Sequence, residues 1–261
     1  MAWSSLGTQF CLEIGFGVLA ALAFVPKAPV GAFFYRIMGT TAMVPLLVAT
    51  VVPVLVGQAA WTDLTVLAGL VTVLAYPFYS GPMRGWKWSA GLGVALLGTA
   101  VALASSLSSD AGIEGAVPLT VASLSALATG TVAGSVALAM VLGHWYLTVP
   151  NLAIRHLQRL NRVTIVSMVV SLALVGVTCL TFTDQLEGQE SSLFGMWGLF
   201  HLGTRVTVGL LLPLLFAGMT SSSLRCKNTR SATGILYAST VLVLIGTAVS
   251  ISLQDSYGVP L

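Results

Sequence analysis

Four side chains stand out in an otherwise apolar chain because each could hold or move a proton where lipid is the solvent: Glu13, His144, His201 and Arg205. An ionisable group in hydrocarbon costs roughly 2–3 kcal/mol or more, so each needs a partner or a purpose. His201 and Arg205 are four residues apart, which places them on one helix face. Counted from the centres of their spans, Arg205 lies near mid-membrane, and His201 lies nearer the outside in the same depth band as Glu13. A Glu13–Arg205 pair hydrogen-bonded through His201 neutralises both charges. Such a trio either fixes how two halves of the molecule dock, or forms a proton-conducting site open to the outer side. A carboxylate, an imidazole and a guanidinium suit proton exchange with a bound quinone or an anionic solute.

A second group follows the run Gly143-His144-Trp145-Tyr146, at the inner end of its span. Trp and Tyr at that depth form an aromatic belt; the alternative is an inner-face pocket with His144, Trp145 and Tyr146 at its mouth. Beyond them, Arg155, Arg159 and Arg162 share one helix face suited to lipid phosphate or an acidic partner subunit. Haem ligation by two histidines requires both at one depth. His144 and His201 lie about 24 Å apart along the membrane normal, and His156 falls in a connection, so a haem-free chain is expected. One His paired with a Met or with a partner chain is the remaining route to haem. No HExxH, Walker A, GxSxG or CxxCH motif occurs, and Cys11 and Cys179 read as packing residues. No metal site is expected.

The elements that must position these groups follow from composition. The chain has 261 residues, 56% hydrophobic and 7% charged. Soluble domains carry about 25% charged residues, so this chain lacks the polar groups to cover a globular surface in water. That excludes a cytosolic enzyme, a nucleic-acid binder and a disordered chain. A hydrocarbon core about 30 Å thick takes about 20 apolar residues as helix. Eight such segments occur, at roughly 6–26, 37–57, 63–80, 87–107, 118–148, 163–183, 193–219 and 231–253. The runs are continuous rather than alternating, which selects helices over a barrel. Glu13 and the absence of an early basic cluster make the first run a span rather than a cleaved signal peptide.

Charge placement sets the topology. Of 11 Lys/Arg, all but Arg205 fall in four alternate connections: Lys27 and Arg36, Arg84 and Lys87, Arg155 to Arg162, and Arg225 to Arg230. The intervening connections hold Asp63, Asp110, Glu114, Asp184, Glu187 and Glu190, with Asp255 in the tail. By the positive-inside rule the basic connections are cytoplasmic and both termini face outward. A short internal echo pairs Phe24-Val25-Pro26 with Thr148-Val149-Pro150, and Leu96–Val101 with Leu244–Val249. The expectation is an all-α integral membrane protein of eight transmembrane helices, forming a single transmembrane domain 1–261. Its halves, 1–116 and 117–261, are either two parallel four-helix bundles or unrelated segments. The fifth span is long and rich in small residues, including Gly130-x-x-x-Gly134. It reads as a tilted central packing helix or as a helix lining a pocket.

Eight spans with both termini outside, as two parallel four-helix bundles, resemble the polysulfide-reductase-type (NrfD-like) membrane subunits. That resemblance rests on topology and a few polar positions rather than on a motif. It implies a haem-free subunit of a multi-subunit electron-transfer complex in a bacterial inner membrane. Such a subunit anchors partner subunits and binds quinol, with Glu13, His201 and Arg205 as the residues to test. Two alternatives remain on sequence grounds: a non-catalytic structural subunit of a large membrane assembly, and a small secondary transporter or channel. Pro45, Pro53, Pro77 and Pro213 fit the broken helices of transporters only in part.

Overall fold

In the computed structural model, residues 3–25, 30–81, 83, 85–110, 113, 115–149, 152–187, 193, 195–258 and 261 are described, and they contain helices and no strand. The helices are α1 (Trp3–Leu22), α2 (Ala32–Leu55), α3 (Leu64–Leu74), α4 (Tyr76–Ser80), α5 (Trp86–Asp110) and α6 (Ala116–Thr148). They continue as α7 (Arg155–Thr181), α8 (Thr183–Glu187), α9 (Met196–Val206), α10 (Leu212–Arg225) and α11 (Thr229–Tyr257). A π-helical turn over Thr207–Leu211 joins α9 to α10 in one continuous helical stretch. Among the described residues six helical stretches are long and apolar enough to cross a membrane, counting Met196–Arg225 as one. Two more apolar stretches, Leu6–Leu22 and Leu64–Ser80, are shorter. Of the residues that set the expected topology, Lys27, Arg84, Glu114 and Glu190 lie outside the described residues.

Local chemistry explains the ends and interruptions. Pro77 cannot donate to Val73, so the third apolar stretch breaks at Ala75 and restarts as α4 with the proline in its first turn. Pro213 likewise has no N–H for the Gly209 carbonyl; the ladder ahead of it widens, and the Leu212 N–H bonds Thr207 instead. Asn228 caps α11 by accepting from the Ser231 N–H at 3.1 Å, and Gly258 ends it in the left-handed conformation (φ 72). Helix α7 starts at Arg155, so His156 sits buried in its first turn and not in a connection. The apolar run begins later than the helix does.

Neighbouring helices run antiparallel: Gly15 faces Leu46, Gly69 faces Thr50, and Gly98 faces Ala68 and Thr72. Thus α1, α2, α3 and α5 close a ring in chain order, each touching the next and α5 returning to α1. The later helices repeat that order, with α6, α7, α9–α10 and α11 in contact around a second ring. The rings meet where α1 lies parallel to α6. A methyl group on Gly17 would collide with the Gly130 carbonyl, and one on Gly130 would collide with the Glu13 carbonyl. Such close approach gains dispersion contacts where lipid supplies no hydrophobic drive. Helix α6 is the centre of the molecule: 72% of its apolar window is buried, against 22–44% for the other long spans.

Chain reversal sorts the charges to opposite ends. Asp63, Asp184 and Glu187 flank helix ends on one side, with the start of α1 and the end of α11. Arg36, Lys87, Arg155, Arg159, Arg162, Arg225, Lys227 and Arg230 cluster at the other. Between the ends, the outward faces are apolar, with Leu97, Val166, Leu180 and Leu215 exposed. Several buried hydroxyls turn back on their own helices, as Thr99 does to Ala95 at 2.7 Å and Thr247 to Val243 at 2.9 Å. That satisfies them without a partner helix.

Candidate functional site

The crossing of α1 and α6 also carries the buried charges. Glu13 lies at the crossing on α1, 2% exposed, and its Oε1 accepts from Gln9 Nε2 at 2.8 Å. Gln9 sits one turn earlier on the same face and is hydrogen-bonded to Gln254 of α11. Arg205, fully buried, enters from α9 on the far side of the second ring. Its Nη2 donates to Thr129 Oγ1 of α6 at 2.8 Å and to Ser171 Oγ of α7 at 3.4 Å. Its Nε donates to the Leu261 main-chain oxygen at 3.2 Å, an atom that also accepts from Ser250 of α11. One guanidinium therefore ties together three helices besides its own.

Glu13 and Arg205 lie within electrostatic range of each other, yet make no direct hydrogen bond. Glu13 Oε2 and Arg205 Nη1 are both buried without a partner. The Glu13 Oε2 lone pairs and the two N–H groups of Arg205 Nη1 are thus left without a donor and an acceptor, respectively, among the described residues. Space for Arg205 is kept by Gly209 in the π turn, whose α-carbon packs against Gly246 of α11; a methyl group there would lie 3.3 Å from Arg205 Nη1. π turns are frequent at functional sites because they re-aim neighbouring side chains.

The structure brings together two of the three expected members of this cluster. His201 is half-exposed, and its Nδ1 lies 2.8 Å from the Trp197 carbonyl of its own helix. The imidazole therefore does not bridge Glu13 and Arg205. It belongs to an outward aromatic ridge, its ring 5.8 Å from that of Phe200, which in turn lies 6.4 Å from Trp197. In its place stand Gln9, Gln254, Thr129 and Ser171, which sequence reasoning missed. A neutral amide or hydroxyl in an apolar run carries no charge to mark it. The one available signal is the four-residue spacing of Gln9 and Glu13.

At the opposite end, His144, Trp145 and Tyr146 turn to three different neighbours. His144 is exposed, its Nδ1 3.4 Å from the Tyr237 hydroxyl of α11. Trp145 packs against Phe33 and Phe34 of α2 with ring centroids 5.9 and 5.6 Å away. The Tyr146 hydroxyl donates to the Ala153 carbonyl. Arg155, Arg159 and Arg162 are exposed on α7. Arg159 lies over the Phe24 ring at 5.7 Å and, with Arg162, edges a crevice of about 580 Å³. A further cavity of about 380 Å³ opens at the acidic end of the first ring, edged by Thr8, Gln58, Asp63, Ser105 and Ser109. Among the described residues no three His, Cys, Asp or Glu side chains gather to hold a metal ion. No family model, curated protein or solved structure matches this chain.

Proposed function

We propose that this chain is a haem-free, multi-pass subunit of a membrane electron-transfer complex, in the manner of the polysulfide-reductase-type subunits. In this reading it anchors partner subunits, and the Glu13–Arg205 hub handles protons for bound quinol. The observation that carries the proposal is the incomplete closure of the hub, with Glu13 Oε2 and Arg205 Nη1 both buried and unpartnered. A charge pair retained only for packing gains most by closing into a two-pronged carboxylate–guanidinium contact. Leaving one buried polar atom open costs roughly 1–3 kcal/mol. Intramembrane ionisable groups that bear such a cost mark proton or ligand pathways by default.

The finer membrane arrangement belongs to the same proposal. The two shorter stretches also cross: 17 residues at 1.5 Å each reach about 26 Å, close to the hydrocarbon thickness. With the basic end cytoplasmic, eight spans leave both termini on the outer side of a bacterial inner membrane. The halves 1–116 and 117–261 are then parallel four-helix bundles. Their matching ring order supports this, as does the packing of Gly98 and Gly246, one in each echoed hexapeptide, against the third span of its own half.

Purification in a mild detergent tests the function. Co-purifying redox subunits and quinone in the organic extract are the expected result, and Glu13→Gln, which keeps an acceptor for Gln9, should retain the assembly while losing quinol turnover. A second reading, a purely structural subunit, is favoured by the bonds from Arg205 to α6, to α7 and to the Leu261 main chain beyond α11. It predicts the opposite split, with turnover retained by whatever complex still assembles.

A further inference from the structure

We infer that the crevice between the basic end of α7 and the end of α1 is a binding site for one anionic glycerophospholipid. Its walls include Phe24, Thr131 of α6, and Arg159, Arg162, Val163 and Val166 of α7, around a volume of about 580 Å³. The inference does not rest on the electron-transfer proposal; it needs only that these helices cross a bilayer.

Three features of the crevice specify the ligand. The first is uncompensated positive charge. None of the eight Asp/Glu residues falls between Glu13 and Asp63, between Asp63 and Asp110, between Glu114 and Asp184, or between Glu190 and Asp255. Every segment that turns at the basic end therefore lacks a carboxylate to neutralise Arg159 and Arg162. Arg225 adds a third guanidinium beyond Arg162, across a smaller crevice of about 220 Å³ that also includes Gln158 and Ser221. A phosphodiester supplies the missing anion, and two planar guanidiniums suit its oxygens.

The second feature is axial order. Arg159 and Arg162 come first along α7, and Val163, Val166 and Val170 follow on the same face toward the bilayer centre. Val166 is 61% exposed and Val170 46% exposed. A headgroup bound to the arginines would lay an acyl chain along these valines. The third feature is the fixed position of one cation: Arg159 rests over the Phe24 ring at 5.7 Å, which holds the guanidinium at the rim instead of leaving it to extend into water. An acidic protein would meet the cations but leave the apolar wall unused, and a free phosphate would gain nothing from it.

Native mass spectrometry of the full chain tests this, with dioleoylphosphatidylglycerol, dioleoylphosphatidylcholine or inorganic phosphate added to the micelles. Phosphatidylglycerol should remain bound at collision energies that strip phosphatidylcholine. At about a tenfold to thirtyfold loss for two arginines near an anionic headgroup, Arg159→Gln with Arg162→Gln should abolish the retained adduct. Val166→Trp leaves the charge intact and fills the acyl path, and should also weaken it. Lys227→Gln with Arg230→Gln, outside the crevice at the same end, should not. Equal retention of the two lipids overturns the site, as does loss in the Lys227/Arg230 variant matching that in the Arg159/Arg162 variant. Displacement of the lipid by millimolar phosphate overturns it in favour of a free-anion site. A protein that co-purifies in place of lipid, and is lost with Arg159 and Arg162, assigns the cations to an acidic partner.

Discussion

Arg205 cannot shed its charge, so the fold must satisfy it in place. It does so with the Thr129 and Ser171 hydroxyls and the Leu261 main-chain oxygen, while Glu13 lies within electrostatic range without touching it. Replacing Arg205 by Leu strands those acceptors and the carboxylate together. Breaking a buried charge pair costs about 3–5 kcal/mol, which should appear as a large fall in the thermal midpoint of the detergent-solubilised protein. Glu13→Gln keeps an acceptor for Gln9 and should cost less. If the two charges act on each other, the double variant will recover about 1–3 kcal/mol of the summed losses; simple additivity would show them to be independent. Both charges were legible in the sequence, since a Glu and an Arg inside apolar runs have few places to go. The position of His201 was not. A four-residue step still advances 40° around a helix, and only the long Arg205 side chain reaches inward from there, while the shorter imidazole stays on the flank and meets the Trp197 carbonyl. The amides of Gln9 and Gln254 were invisible for a different reason: their partners are 245 residues apart in sequence, and no spacing rule connects them.

At the scale of elements, hydropathy located the apolar centres of the six long helical stretches but not their full length. Helix α7 begins at Arg155, well before its apolar run, because a helix leaving lipid can continue in the interface, where its arginines are solvated and α6 and α10 pack against it. The long small-residue span was legible as a packing helix, and the partner at its GxxxG motif is α1, with no room for a side chain between them. Gly130→Leu should therefore separate the two rings, at a cost of about 1–3 kcal/mol or more for overpacking. Gly176→Leu is the matched control. That glycine is exposed on α7 with nothing within 4 Å of an added methyl, so the substitution should be neutral or gain a few tenths of a kcal/mol in helix propensity. Comparing thermal midpoints of the two variants separates loss of close packing from the general effect of adding bulk in lipid. The π turn also has a consequence for the chain. A one-residue widening is what it contributes, so deleting Val208 should restore α-helical spacing ahead of Pro213, whose missing N–H still leaves one ladder bond open, with the flanks little moved. Deletion of Val132, in the middle of α6, instead turns half the central helix by about 100° and should prevent accumulation of the protein. Expression and monodispersity in detergent distinguish the two deletions.

For the whole molecule, the arrangement follows from a one-sided distribution of cations acting on an otherwise nearly uncharged body. The long stretches are apolar enough to cross a membrane, and their exposed side chains, Leu55 and Ile245 among them, suit contact with lipid. What remains free is which way up the body sits. A single exposed cysteine offers a direct readout. Cys226 lies just after α10 among Arg225, Lys227 and Arg230, at the basic end, while Cys11 and Cys179 are partly buried in the apolar packing. In the proposed topology, which follows the positive-inside rule, that end is cytoplasmic. A membrane-impermeant maleimide should therefore label Cys226 in inverted vesicles and leave it unlabelled in intact spheroplasts, with Cys226→Ser as the blank. Moving the cysteine to Asp63, at the acidic end beside the start of α3, should reverse the pattern in a Cys226→Ser, Asp63→Cys background. Labelling of Cys226 from the outside would invert the molecule. The acidic cavity edged by Asp63 would then face the cytoplasm, and the arginine crevice would face the outer leaflet. That result would remove the charge argument for topology while leaving the buried Glu13–Arg205 hub where it is, because the hub depends on the crossing of α1 and α6 and not on the side from which the helices enter.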